Sequence, residues 1–149
     1  MTELADRFFS ELHRTHLKPA GFKKERRTFI RERPGFIERF QFQGSQWNDR
    51  NRPWVFYINA GVQFPDLPRM QPDMDFPHTH ANDRIERILP MQEGFAGRWE
   101  LSESNYEAML ARLPPLLEQA SAVLEPLAKR IYPRCKAEGR QWLFLTRET

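Results

Sequence analysis

The sequence contains a single cysteine, Cys135, among its 149 residues. One cysteine cannot form an intramolecular disulfide and suits a reducing compartment, so we expect a cytoplasmic protein. Long apolar runs are also missing, because the longest one, residues 54–58, is far too short to cross a bilayer. The first residues alternate acidic, basic and apolar types, so we expect neither a signal peptide nor a membrane partner.

The sequence contains no motif that indicates a particular reaction. The nucleophile elbow G-x-S-x-G, the zinc motif H-E-x-x-H, the phosphate-binding loop, the fingerprint G-x-G-x-x-G and the redox motif C-x-x-C are all absent. We therefore lean against an enzyme and expect no cofactor. With 40% hydrophobic and 29% charged residues the chain has enough apolar side chains for a core, and its length predicts a single domain over residues 1–149.

Positive charge is modestly concentrated in the first part of the chain. Residues 1–64 carry 12 lysines and arginines against 7 acidic residues, whereas residues 65–149 carry 11 against 13. This asymmetry favours an acidic partner for the first part. The basic stretch 23–33 is interrupted by acidic residues, and this dilution makes a dedicated nucleic-acid binder an unfavoured interpretation.

Apolar periodicity predicts a helix first and a sheet after it. Leu4, Phe8 and Leu12 recur at helical spacing, which predicts a helix from residue 2 or 3 to residue 17. After residue 21 the pattern alternates and predicts strands over residues 27–33, 36–43 and 53–64, with Pro34 and Gly35 as a hairpin turn. A further strand at residues 98–101 completes an antiparallel meander of about four strands.

The second part of the chain predicts a long irregular segment followed by helices. Residues 65–97 carry five prolines and cannot form one regular element, although residues 82–89 could make a short helix. From Leu110 to Ile131 apolar residues recur at spacings of three and four, which predicts C-terminal helices packed on the sheet. We expect Pro114 and Pro115 to break or bend this region into a short helix and a longer one that starts near Pro114. The predicted class is therefore α+β.

Three segments of the chain are similar to a known family in order and spacing: LKPAGFKKERRTFIRE at residues 17–32, FQFQGS at residues 40–45 and VFYINAGV at residues 55–62. An arginine-containing segment at residues 84–87, a strand with Trp99 and a helical C-terminus extend the likeness. On these segments the chain resembles the bacterial domain of unknown function 4304 family over about residues 4–127. The resemblance implies an α+β fold and no particular chemistry.

Polar residues on the predicted strands form the first candidate site. Arg39, Gln41 and Asn59 lie on the polar side of strands whose other side is apolar, so neighbouring strands would bring them into one hydrogen-bonding patch. Trp47, in the following polar connection, is a fourth ligand-binding candidate. The alternative is a solvated or internally satisfied sheet surface.

Two histidines form the second candidate site. His78 and His80 make an H-x-H pair in the segment DMDFPHTH, and Asp83 follows just beyond it. Side chains two residues apart on an extended chain point the same way, so the pair and a carboxylate predict a divalent metal site. The alternative is a proline-rich surface loop, because the spacing matches no named ligand motif.

Basic and aromatic residues alternate in the third candidate surface. Nucleic-acid bases would stack on Phe22, Phe29 or Trp47 while neighbouring cations hold phosphates. The alternative is a charged edge strand that prevents sheets from aggregating. The basic residues of this surface are Lys23, Lys24, Arg26, Arg27, Arg31, Arg33, Arg50 and Arg52.

A rigid domain without catalytic motifs favours a non-enzymatic protein-interaction module, such as an immunity or antitoxin-like protein. Its partner would then be another protein. One alternative is a small-ligand-binding protein or an enzyme that uses the sheet face and the segment 65–97. A weak nucleic-acid binder is the other.

Overall fold

The computed structural model describes residues 2–46, 48, 53–68, 78–138 and 143–146. The described strands form one sheet on which two long helices pack. In chain order the elements are α1 (Thr2–Leu12), β1 (Lys23–Glu25), β2 (Thr28–Arg33), β3 (Phe36–Gly44), β4 (Trp54–Gln63), β5 (Ala81–Arg84), α2 (Ile85–Ile88), β6 (Trp99–Leu101), α3 (Tyr106–Glu138) and β7 (Leu143–Phe144).

Helix α1 forms where apolar residues recur at helical spacing. Ala5, Phe8, Phe9 and Leu12 make up its buried stripe, and each is at most 1% exposed. A π-helical turn, His13–Leu17, continues the helix, as the sequence predicts for the region up to residue 17. The helical region ends before Gly21, whose φ of +98° lies in the left-handed region that favours glycine.

The sheet is built around β4. Strands β1 to β4 form an antiparallel meander, in which Phe29 lies opposite Phe40 and Gln41 opposite Asn59. Two short strands pair with β4 as well: β6 with its first half and β5 with its second half, both antiparallel. Strand β7 extends the sheet by pairing in parallel with β5. The second half of β4 therefore lies at the centre of the sheet.

Alternation along the strands gives the sheet two different faces. Phe9 of α1 contacts Phe29, Phe42, Trp54 and Phe56 on one face, with ring centroids 5.0 to 6.3 Å apart. Helix α3 lies on the same face, which we call the helix face. The opposite face therefore has neither long helix on it, and we call it the polar face.

Helix α3 runs from Tyr106 to Glu138 without interruption, so the predicted break at Pro114 and Pro115 is wrong. Its prolines lie toward solvent: Pro114 is partly buried, and Pro115, Pro126 and Pro133 are exposed. Carbonyl groups that lose a helical partner there can bond to water instead. A stripe of residues at most 5% exposed holds the other side of the helix against the protein core: Leu113, Leu117, Ala120, Leu124, Ala128, Ile131 and Cys135.

The predicted α+β architecture is confirmed, with an N-terminal helix, an antiparallel meander and C-terminal helical structure packed on the sheet. One local prediction is only half right. Residues 82–89 were predicted as a short helix, but β5 occupies Ala81–Arg84 and only Ile85–Ile88 is helical. The difference arises because the backbone of β5 pairs with β4, and this pairing depends on residues distant in sequence.

Candidate functional site

The polar face brings together three of the four predicted ligand-binding residues. Gln41 lies directly opposite Asn59, and Arg39, two residues before Gln41 on β3, lies opposite Gly61. Trp47 lies outside the described residues. The side chains of β3, β4 and β5 that belong to this face are Ile37, Arg39, Gln41, Gln43, Val55, Tyr57, Asn59, Gln63, Asn82 and Arg84.

A hydrogen-bond network links the carboxamide groups of the polar face. The amide nitrogen of Asn59 donates to the Oε1 atoms of Gln41 and Gln43, at 2.8 and 3.0 Å. Arg39 donates through Nε to the Oε1 atom of Gln63 at 3.0 Å. These bonds use the oxygen atoms of the three glutamine side chains as acceptors, which leaves the amide N–H groups of Gln43 and Gln63 as donors, while Asn59 itself is buried.

Two arginines lie at the centre of the polar face. Arg84 lies over the ring of Tyr57, with its guanidinium carbon 4.4 Å from the ring centroid, and also approaches Gln43. Arg39 is held between Gln63 and Glu25, a residue of β1 whose carboxylate is 3.9 Å away. The polar-face residues of β3, β4 and β5 include no aspartate or glutamate, whereas β1, β2 and β6 contribute Glu25, Glu32 and Glu100 to the same face. The positive charge is therefore confined to the centre of this face.

The predicted metal-binding residues do not form a site with one another. His78 is an exposed turn residue, whereas His80 is buried. The Nδ1 atom of His80 accepts a hydrogen bond from the backbone N–H of Phe64, and its Nε2 atom donates to the carbonyl of Pro68. Both ring nitrogens are therefore occupied in this conformation. Among the described residues, no group of three or more histidine, cysteine, aspartate or glutamate side chains could hold a metal ion.

Asp83 has a structural role on the helix face. Its carboxylate is 1% exposed and accepts hydrogen bonds from Arg87 and from the backbone and hydroxyl of Thr146. It thereby ties the residues after β7 to β5. Because Asp83 lies opposite Ala60 and Asn59 belongs to the other face, the sheet separates Asp83 from the carboxamide network. The described residues thus do not assemble the histidines, Asp83, Asn59 and Arg39 into one catalytic or ligand-binding constellation.

A buried ion cluster on the helix face was missed by the sequence analysis. The carboxylate of Glu38 is fully buried and accepts hydrogen bonds from Arg31 Nε at 2.6 Å and Ser121 Oγ at 2.7 Å. Arg33 lies 3.6 Å from the same carboxylate and also bonds to Ser121. The cluster, formed by Arg31, Arg33, Glu38 and Ser121, connects β2 and β3 to α3. A signal was present, because strict alternation places Glu38 on the same face as Phe36 and Phe40.

The environment of Arg31 shows why its guanidinium group stays charged. Burial by itself lowers the pKa of Arg31, but the hydrogen bond and charge of Glu38, together with those of Glu118, outweigh that effect. The pKa of Arg31 consequently lies above its ordinary value. The cluster can fasten a helix to a sheet, but its carboxylate is not accessible to a substrate.

Folding buries the aromatic rings and pairs several of the arginines of the basic surface predicted for residues 22–33. Phe22 and Phe29 are at most 2% exposed and cannot stack on a base. Arg31 and Arg33 point into the buried ion cluster, and Arg27 bonds to Asp6 and lies over Trp54. Arg50 and Arg52 lie outside the described residues. The described part of this segment therefore lacks the exposed rings that stacking on nucleic-acid bases requires.

In the described part of the chain, no helix is both long enough and apolar enough to span a membrane.

Comparison with known proteins gives a family but no relative of known function. No curated protein and no solved structure gives a significant match to the chain. Residues 13–127, which include the meander and most of α3, match one family model. The protein therefore belongs to the family described as Domain of unknown function (DUF4304).

Proposed function

We propose that the protein is a non-enzymatic interaction module that binds an acidic surface of another protein through the polar face. The observation that carries this proposal is the positive, donor-rich centre of that face. Arg39 and Arg84 belong to that centre, and neither long helix lies on it. The carboxylates on the same face, Glu25, Glu32 and Glu100, come from β1, β2 and β6 and not from the central β3, β4 and β5.

Hydrogen-bonding capacity supports an acidic partner. The oxygen atoms of Gln43 and Gln63 accept hydrogen bonds within the face, whereas their amide nitrogens donate to no described residue. A partner that supplies acceptors complements such a surface, and carboxylates are the strongest protein acceptors for amide and guanidinium donors. Complementary charge of this kind speeds association and selects the correct partner.

The composition of the face supports a protein rather than a nucleic acid. Tyrosine and arginine are enriched in protein interfaces, and Tyr57 and Arg84 form a stacked pair on this face. Two arginines are few for a surface that must neutralise a series of phosphates. The buried positions of Phe22 and Phe29 also remove two of the three candidate stacking residues of the nucleic-acid alternative, and the third, Trp47, lies outside the described residues.

A broader role follows from the same features. We propose a bacterial immunity or antitoxin-like protein, because such a protein needs a rigid, complementary surface and no catalytic group. Because the polar face is positive, its target would be an acidic protein rather than a basic nuclease. We also propose a cytoplasmic location, since the sequence has a single, buried cysteine, Cys135, which cannot form an intramolecular disulfide and suits a reducing compartment.

The test combines site-specific crosslinking with a charge reversal. A photoreactive residue replaces Gln43 on the polar face or, as a control, the exposed Gln119 of α3. Each protein is irradiated in cells that express it, and crosslinked proteins are identified by mass spectrometry. The same capture is repeated with Arg84→Glu and with Arg14→Glu, which makes the same charge change on the exposed side of the N-terminal helix.

We expect one acidic protein to crosslink at position 43 and not at position 119. Its capture should fall about tenfold with Arg84→Glu, since the change removes one attraction and adds one repulsion, and should persist with Arg14→Glu. A partner that both variants retain equally would contradict the assignment to the polar face. Capture of only nuclease-sensitive material would favour the nucleic-acid alternative instead.

A further inference from the structure

A cavity of about 720 Å³ lies beside the β2–β3 hairpin turn. Its walls come from the hairpin, the segment after β4 and the second half of α3, which contribute Phe36, Phe64 and Tyr132 among other described residues. Cavities that enclose small molecules in proteins typically measure roughly 300–1,000 Å³ and combine an apolar lining with a few polar groups. The volume therefore fits a small molecule better than a single water or ion.

The interior of the cavity is aromatic and held in place from several sides. The rings of Phe64 and Tyr132 meet edge to face, with centroids 5.0 Å apart. The hydroxyl of Tyr132 donates a hydrogen bond to Asp66, which links α3 to the segment after β4. Arg33 lies over Phe36 and bonds to Ser121 and Glu125 of α3. These contacts fix the walls before any ligand arrives, which reduces the entropy lost on binding.

The charged groups around the cavity differ in how strongly each already interacts with a neighbouring residue. The carboxylate of Asp66 accepts the Tyr132 hydroxyl, and Arg33 is shared between Ser121 and Glu125. Lys129 is 76% exposed on its side chain, and its recorded partner, Glu125, is 3.9 Å away. Such a long, solvated ion pair is weak, so the ammonium group is able to turn toward a ligand.

One of the two acidic residues of the lining, Glu32, lies on the other side of the hairpin from the aromatic wall. Glu32 is paired with Ile37, so its side chain belongs to the polar-face side of β2. Arg33, by contrast, is paired with Phe36 and lies on the helix face with the aromatic wall. Arg33 and Lys129 therefore lie on the same side of the sheet as the aromatic wall, whereas Glu32 does not. The other acidic residue of the lining, Asp66, already accepts the hydroxyl of Tyr132.

We propose that this cavity binds a small molecule with an aromatic or branched aliphatic body and one carboxylate. The apolar body packs against Phe36, Phe64 and Tyr132, and the carboxylate pairs with Lys129 at the mouth. This site is separate from the proposed protein-binding surface, since its aromatic wall belongs to the helix face.

The test uses nuclear magnetic resonance titrations of the full chain with matched probes. The anionic probes are 3-phenylpropionate, indole-3-acetate and 4-methylpentanoate, and 3-phenylpropan-1-ol and 3-phenylpropylamine carry no negative charge. Backbone amide shifts of Phe36, Phe64 and Tyr132 report binding in the cavity. The variant Lys129→Glu is compared with Lys136→Glu, an exposed lysine about two turns further along α3.

We expect millimolar binding of at least one carboxylate with shifts confined to the cavity, and binding about fivefold weaker for the amine and for Lys129→Glu. Lys136→Glu should bind the carboxylate as the unmodified protein does. Absence of cavity shifts with all three carboxylates would overturn the proposal, as would equal binding of the carboxylate and the amine. Unchanged binding by Lys129→Glu would also overturn it, because the charge would then have no role.

Discussion

Replacing Glu38 by glutamine tests the buried ion cluster most directly. The substitution keeps the size of the side chain but removes its negative charge and turns one oxygen into an N–H₂ group. That group would face Arg31 or Ser121, which both donate to the present carboxylate. The buried guanidinium groups would then lose their shared counter-charge, so the free energy of unfolding should fall.

The size of the effect follows from burial. Glu38 is 0% exposed, whereas Arg31 and Arg33 are 14% and 21% exposed. Removing one partner of a fully buried pair costs about 3–5 kcal/mol. Each arginine keeps a second acidic partner, Glu118 at 2.9 Å or Glu125 at 3.3 Å, so we expect a loss of about 2–4 kcal/mol.

Urea unfolding followed by circular dichroism measures this loss from the midpoint of the transition at constant slope. The matched control is Glu118→Gln, which removes a 55% exposed partner of the same arginine. The control should cost less than about 1 kcal/mol. If Glu38→Gln also cost less than about 1 kcal/mol, the cluster would not contribute to fastening α3 on the sheet.

Two further predictions concern α3 and its contact with the segment after β4. Pro126 is exposed inside a continuous helix, where alanine is more favourable than proline. Pro126→Ala should therefore raise the free energy of unfolding by about 1–2 kcal/mol, a figure that allows for the greater flexibility of the unfolded chain without the proline. A lower thermal midpoint would contradict the continuous helix. The hydrogen bond from Tyr132 to Asp66 raises the pKa of the Tyr132 phenol. This bond therefore stabilises the folded state fully at a pH below the phenol's unfolded-state pKa, and the stabilisation is lost as the pH rises through the folded-state pKa. Ultraviolet difference titration should show one tyrosine with a lower pKa in Asp66→Asn, and an unchanged titration curve would contradict this contact.

The strands illustrate what local patterns predict well. Alternation over residues 36–43 and 53–64 identified β3 and β4 to within a residue or two of their ends, because one face of each strand packs in the core. The same alternation predicted that Arg39, Gln41 and Asn59 share a polar surface. Their adjacency follows from the β3–β4 register, which the shared apolar face restricts.

The errors arise where distant residues decide the structure. Proline disfavours a helix interior locally, yet α3 passes through Pro114 and Pro115 because its buried stripe is held by the protein core. Glu38 resembles a surface charge in the sequence, and only its contacts with Arg31 and Ser121 make its burial possible. In the same way, His80 resembles a metal ligand until its two ring nitrogens are seen to bond to backbone groups.

The sequence by itself determined the α+β class and the order of the main elements, because these depend on periodicity and residue type along the chain. Only the tertiary structure decided which face of the sheet the helices cover, which arginines form ion pairs with Glu38, and that a cavity exists beside the hairpin. Those features depend on which residues meet across the fold. Local periodicity predicts which side chains of a segment are buried, but it does not predict which residues of other segments they contact.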